Sequence, residues 1–241
     1  MKQYAQQKQI LFFLFMAGIM VYAQPVRAQQ SESSVKFRLA QSYELEGEWE
    51  RALPLYESLY QSDPGNYVYF DGLRRTYTQL KQYDKATVLV RARLTMQPND
   101  PVLRAMIGTL YYQSGQDAAA DSAWKSVVQS DTKNVNLYRV VAYQMIENRL
   151  YDQAVQLYVR ARVETGNDRI FAEELSWLYG SFQQYAQATK ELVAMLRGIP
   201  AQHPSVQSRL ASFTAREEGM KQALAVVRDE VNKNPKDISL R

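Results

Sequence analysis

The chain has 241 residues, 46% hydrophobic and 22% charged, which is enough apolar content for a substantial core and excludes a disordered chain. Its net charge of +4 concentrates in Lys2, Lys8 and Arg27; without them 26 basic residues face 25 acidic ones, so the electrostatic footprint of a nucleic-acid binder is missing. One histidine and no cysteine exclude structural disulfides, a Cys-His pair and the usual zinc ligand sets, and count against a Ser-His-Asp triad.

The first predicted element is an address. Met1 to Gln9 carry two lysines and no acid, and Ile10 to Val21 form an unbroken apolar run of twelve. A membrane span needs ~20 apolar residues, so the pattern reads as a secretory signal peptide over 1–28 rather than an anchor. Cleavage fits after Ala23 or after Ala28, and Ala28 leaves the better polar spacer. No cysteine is present to carry an N-terminal lipid, so the expected destination is periplasmic or extracellular. A polar lead-in over 29–34 is expected to be flexible.

From Phe37 to Asn66 the pattern changes to paired helices. Leu39, Ala40 and Tyr43 have the spacing of one helix face, and Ala52, Tyr56 and Leu59 repeat it after a polar break. Gly47 marks the turn between the two helices, and Asp63-Pro64-Gly65 marks the exit. Pro54 is read as lying early in the second helix, where backbone N–H groups lack helical partners.

The same hairpin recurs every 34 residues, in repeats over 33–66, 67–100, 101–134, 135–168, 169–203 and 204–237. The last repeat starts one residue late, after Pro200 to Pro204, a two-proline linker expected to change the angle between repeats 5 and 6. At position 20 of the repeats stand Ala52, Ala86, Ala120, Ala154, Ala188 and Ala223. Such a column marks a close helix crossing that a larger side chain would force apart. Position 24 is always bulky, position 7 is always aliphatic, and position 11 holds Tyr43, Tyr77, Tyr111 and Tyr179. A two-helix repeat cannot enclose a core alone and needs copies stacked on it.

These columns resemble the tetratricopeptide repeat (TPR) family, whose motif is W-x2-L-G-x2-Y, then A-x3-F, then P. The resemblance spans Ser33 to Asp237 and implies an all-α fold: an α-solenoid of six helix-turn-helix units over 35–241, forming a right-handed superhelix. Departures exist. No repeat has the first-helix Trp, and position 8, normally small, is Arg74 in repeat 2, which predicts a wider crossing or an arginine snorkelling outward. Repeat 6 matches least well.

Chemistry-bearing constellations are scarce. His203 sits in the proline linker and reads as an exposed loop residue. Glu48 with Glu50, Glu173 with Glu174, and Glu217 with Glu218 lie on single helix ends or faces, not across a cleft. No cofactor, metal or small-molecule substrate is expected, and the chain reads as a non-enzyme.

In TPR proteins a second stripe of the first helix, positions 2, 5, 9 and 12, lines a concave groove. By that resemblance the partner-binding candidates are Asp71, Arg75, Thr109, Tyr112, Arg139, Tyr143, Glu173 and Trp177. Their mixture of aromatic and charged groups suits a protein or peptide segment. Asp71 with Arg75 also has the spacing of an ordinary i, i+4 ion pair, and Trp177 could simply pack on its neighbour. The Lys and Asn clamp by which some co-chaperone TPRs hold a C-terminal carboxylate is absent from positions 5 and 9.

The leading reading is an exported scaffold or adaptor of the bacterial envelope. The alternative is the N-terminal TPR arm of a larger outer-membrane secretion or polysaccharide-export assembly, which would be a membrane-associated complex. No polar capping helix follows repeat 6, so either its last helix is polar enough through Arg228, Asp229, Glu230 and Lys233, or its apolar end docks on something.

Overall fold

The computed structural model describes residues 32–198 and 203–236. The signal peptide, both cleavage positions and residues 199–202 of the proline linker lie outside the described residues. Among the described residues the secondary structure is all helical: α1 over 32–46, α2 Trp49–Ser62, α3 Tyr67–Gln79, α4 Tyr83–Met96, α5 Pro101–Gln113 and α6 Asp117–Gln129. There follow α7 Val135–Glu147, α8 Tyr151–Thr165, α9 Ala172–Ser181, α10 Tyr185–Gly198, α11 His203–Thr214 and α12 Glu217–Lys233. Residues 32–34, expected in the lead-in, are already helical. No helix among these residues is long and apolar enough to cross a membrane.

The helices pair into six hairpins, distributed over two compact bodies that divide between Met96 and Gln97. The N-terminal body holds α1 to α4. The C-terminal body holds α5 to α12, in which each hairpin packs within itself and first helices pack on the preceding hairpin.

Local chemistry explains the helix ends. Asn66, Asp100 and Asn134 cap α3, α5 and α7, each side chain accepting from a backbone N–H two residues on. Pro101 occupies the first turn of α5, where its missing N–H has no cost. Pro54 does not follow that rule: α2 begins at Trp49, so the proline lies past the first turn, and the helix continues through it with Glu50 exposed to water.

At position 15 the hairpin turns demand a left-handed residue. Gly47 and Gly115 supply it at φ 76° and 80°, as their role in the turn predicts. The same conformation is imposed on Lys81, Arg149 and Gln183, at φ 57°, 62° and 60°. In each case the backbone N–H just after this residue bonds back to the carbonyl at position 11 (Gln82 to Tyr77, Leu150 to Met145, Gln184 to Tyr179). The closed turn, not the residue type, selects the dihedral.

The position 20 alanines are buried without exception, from 0% exposure at Ala52 to 3% at Ala223. Beside them lie Tyr56, Val90, Trp124, Tyr158 and Leu192 at position 24, each no more than 2% exposed. Repeat 6 breaks the register: its buried line is Gly219, Ala223 and Val226, and its hairpin turn falls at 215–216, positions 12 and 13 of the repeat. Leu39 also departs from its column. It is 42% exposed, whereas Leu73, Val141 and Leu175 at the same position are buried.

Arg74 does not reach freely into water: it bonds Asp71 on its own helix at 2.8 Å. Two residues earlier, a Cβ on Gly72 would fall 2.3 Å from the Tyr56 ring of the preceding hairpin.

Candidate functional site

The predicted partner-binding stripe is divided between the two bodies. In the N-terminal body, Asp71 and Arg75 face Glu44 of α1. The Arg75 guanidinium donates to Glu44 Oε1 at 2.6 Å and to Oε2 at 3.2 Å, and also pairs with Asp71. The Tyr56 hydroxyl donates to the same carboxylate at 2.5 Å. These residues form a clasp between the first two hairpins, with the donors spent on internal partners.

Burial alone would raise the Glu44 carboxyl, but the hydrogen bonds from Arg75 and Tyr56 outweigh it and hold the group below its ordinary 4.5. Burial, followed by the nearby carboxylate, pushes the Tyr56 hydroxyl up in turn. A carboxyl with a depressed folded pKa adds stability that is fully present above the unfolded pKa and is lost as pH falls through the folded one. Glu44→Gln is therefore expected to be less stable than the parent above about pH 5, with the gap closing as pH falls below 4.5. Urea titrations at several pH values measure this. A gap that does not change with pH would remove the clasp from the stability account.

In the C-terminal body the stripe builds a polar ladder between successive first helices. Arg139 bonds Glu174 at 3.2 Å, and Glu173 accepts from Arg209 at 3.0 Å; both join position 5 of one repeat to position 6 of the next. Thr109 donates to Gln144 Oε1 at 2.8 Å, joining position 9 to position 10, and Gln113 donates to Asn148 at 2.9 Å, joining 13 to 14. The rungs therefore advance by one position per repeat. Gln144, Asn148, Glu174 and Arg209 are absent from the predicted set for that reason, since same-column comparison does not pair them.

Tyr112 is half-buried, its ring 6.1 Å from Trp124. Arg139 also stacks over Phe171 at 5.3 Å, beside an open cleft of about 800 Å³ whose walls include Asn167, Arg169 and Met195. Among the described residues no group of three or more His, Asp or Glu side chains is placed to hold a metal.

Two of the predicted residues are different in kind. Tyr143 is 57% exposed and Trp177 50% exposed, at position 9 of α7 and α9, and no side-chain hydrogen bond is formed by either among the described residues. An exposed tryptophan and tyrosine on the first-helix face carry large apolar area and a polar handle that nothing internal uses.

The tetratricopeptide repeat family model matches residues 37–65. A thermophilic TPR protein of Thermus thermophilus is similar at 17% identity and a TM-score of 0.40, over 75% of this chain and 97% of that one. PilF of Pseudomonas aeruginosa is similar at 15% identity and a TM-score of 0.41, over 86% and 94%. MamA of Desulfovibrio magneticus RS-1 is similar at 13% identity and a TM-score of 0.39, over 68% and 93%. No curated protein sequence matches significantly. The hairpin at 37–65 matches the tetratricopeptide repeat model, and the five hairpins after it keep its buried alanine column.

Proposed function

We propose that the chain is a non-enzymatic protein-interaction scaffold that holds a protein or peptide segment on the first-helix face of its C-terminal body, with Tyr143 and Trp177 as the anchors. The observation that carries this reading is their combined exposure and lack of internal hydrogen-bond partners, against neighbours on the same stripe that are spent on the interhelical ladder. Large aromatic side chains that lose water on contact supply most of the binding energy in interfaces. The residue pattern over 1–28 supports an exported scaffold working in the envelope.

The test is capture of the partner from envelope extract, with the chain expressed at full length as bait. Trp177→Ala and Tyr143→Ala are each expected to lower recovery roughly tenfold, matching the ~1.4 kcal/mol or more that an interface anchor contributes. Both side chains are surface groups, so urea midpoints should stay within about 0.5 kcal/mol of the parent. Full recovery with both variants removes this face from the binding function.

A further inference from the structure

We propose that the chain associates head to tail with further copies of itself, α12 of one copy receiving α1 of the next as α10 receives α11 within the chain. The argument begins with what a repeat face needs. On α10 the residues one step past the buried line Ala188, Leu192 and Met195 are Thr189 and Val193, at 0% and 3% exposure. The last hairpin packs on α10 and covers them, with Val206 of α11 in the same cluster as Leu192.

The matching step on α12, past Gly219, Ala223 and Val226, is Met220, Leu224 and Val227. Met220 is 46% exposed and Leu224 44% exposed. Where the covered face carries a threonine and a valine, this one carries three apolar side chains, and no described helix packs on it.

The complementary face lies on α1. Positions 3 and 7 of first helices are the residues inserted against the preceding hairpin. Val206 fills position 3 in repeat 6 at 1% exposure, and Phe171 fills it in repeat 5 with its ring 4.4 Å from Tyr158 of the preceding second helix. On α1 the same two positions are Val35 and Leu39, 56% and 42% exposed. Among the described residues α1 thus presents an insertion face without a receiver, and α12 a receiving face without an insert. A second copy supplies both, which continues an interface the chain already makes internally. Joining two different faces is a heterologous contact, so association continues beyond a pair.

The experiment is sedimentation velocity on the chain expressed from its full-length sequence and purified as the cell leaves it, across roughly 1–100 µM, a range that covers micromolar association. The weight-average mass is expected to rise at least about twofold over that range. Leu39→Glu and Leu224→Glu each place a charge on one exposed face, and each alone is expected to remain monomeric. Mixed one to one, they are expected to form dimers and stop, because one intact face remains on each. Val35→Glu and Met220→Glu repeat the pair if either first variant loses helicity by circular dichroism. A parent that stays monomeric throughout, a single variant that still self-associates, or a mixture that stays monomeric or grows past the dimer would each overturn the proposal.

Discussion

Gly108→Ala is expected to destabilise the chain by about 3 kcal/mol, the upper part of the range for overpacking a well-filled core. A Cβ on Gly108 would lie 2.5 Å from Trp124 Nε1 and 2.6 Å from its Cδ1. The indole cannot retreat cheaply. It is 2% exposed, and its N–H donates to the Ala105 carbonyl at 3.0 Å, one turn earlier on the helix that carries Gly108. Any shift that admits the methyl group stretches that bond or opens the hairpin.

Repeat 4 shows the compatible combination, with Ala142 opposite Tyr158, and repeat 1 shows it again with Ala40 opposite Tyr56. Adding Trp124→Tyr to Gly108→Ala is therefore expected to recover a large part of the loss. Gly115→Ala is the control on the same hairpin. Its Cβ would meet nothing within 4 Å, so its cost is the left-handed dihedral alone, about 1 kcal/mol. Urea denaturation measures all three, and a Gly108→Ala loss no larger than that of Gly115→Ala would show that the crossing is looser than its geometry.

Arg162→Met is expected to cost about 3 kcal/mol, as expected when one partner of a buried pair is removed. Arg162 meets Glu191 through two parallel bonds of 3.0 and 2.6 Å and donates its Nε–H to the Ile170 carbonyl at 2.9 Å. The side chains are only 17% and 12% exposed. Removing the arginine strands a largely buried carboxylate and a backbone acceptor between repeats 4 and 5. The double variant Arg162→Met, Glu191→Leu removes both charges and is expected to recover most of the loss, because apolar groups of similar size replace a desolvated pair at little net cost. A single substitution costing under about 1 kcal/mol would place the pair with weak surface bridges.

The hairpins were readable because apolar spacing and close crossings are constraints on residue type. A crossing that admits only a methyl group selects alanine wherever it recurs, and position 20 shows it six times, from Ala52 to Ala223. Turn conformation was readable only where glycine advertised it. Gly47 and Gly115 mark their turns, whereas Lys81, Arg149 and Gln183 take the same dihedral without a residue-type signal, because hydrogen bonding around the turn enforces it.

The candidate surface was the least legible part. Sequence spacing placed Asp71, Arg75, Thr109, Tyr112, Arg139, Tyr143, Glu173 and Trp177 on one stripe, since helical periodicity reports direction from the axis. Periodicity does not report what stands opposite. Packing of successive first helices in the C-terminal body is offset by one position, so Arg139 and Glu173 meet Glu174 and Arg209, while in the N-terminal body Arg75 at position 9 turns to Glu44 at position 12 of the repeat before it. Charged side chains within reach of an opposite charge spend their donors there, while Tyr143 and Trp177 face no such neighbour.

The sequence by itself determined the all-helical hairpin, its 34-residue period and the residues that must be small or bulky at each crossing, because those follow from local periodicity and side-chain volume. Only the tertiary structure decided which polar groups are consumed between repeats, which aromatic side chains stay in water, and that Leu39 and Leu224 are exposed. Those outcomes depend on helix offsets and on what packs next to each face, and neither is encoded in the spacing of one helix.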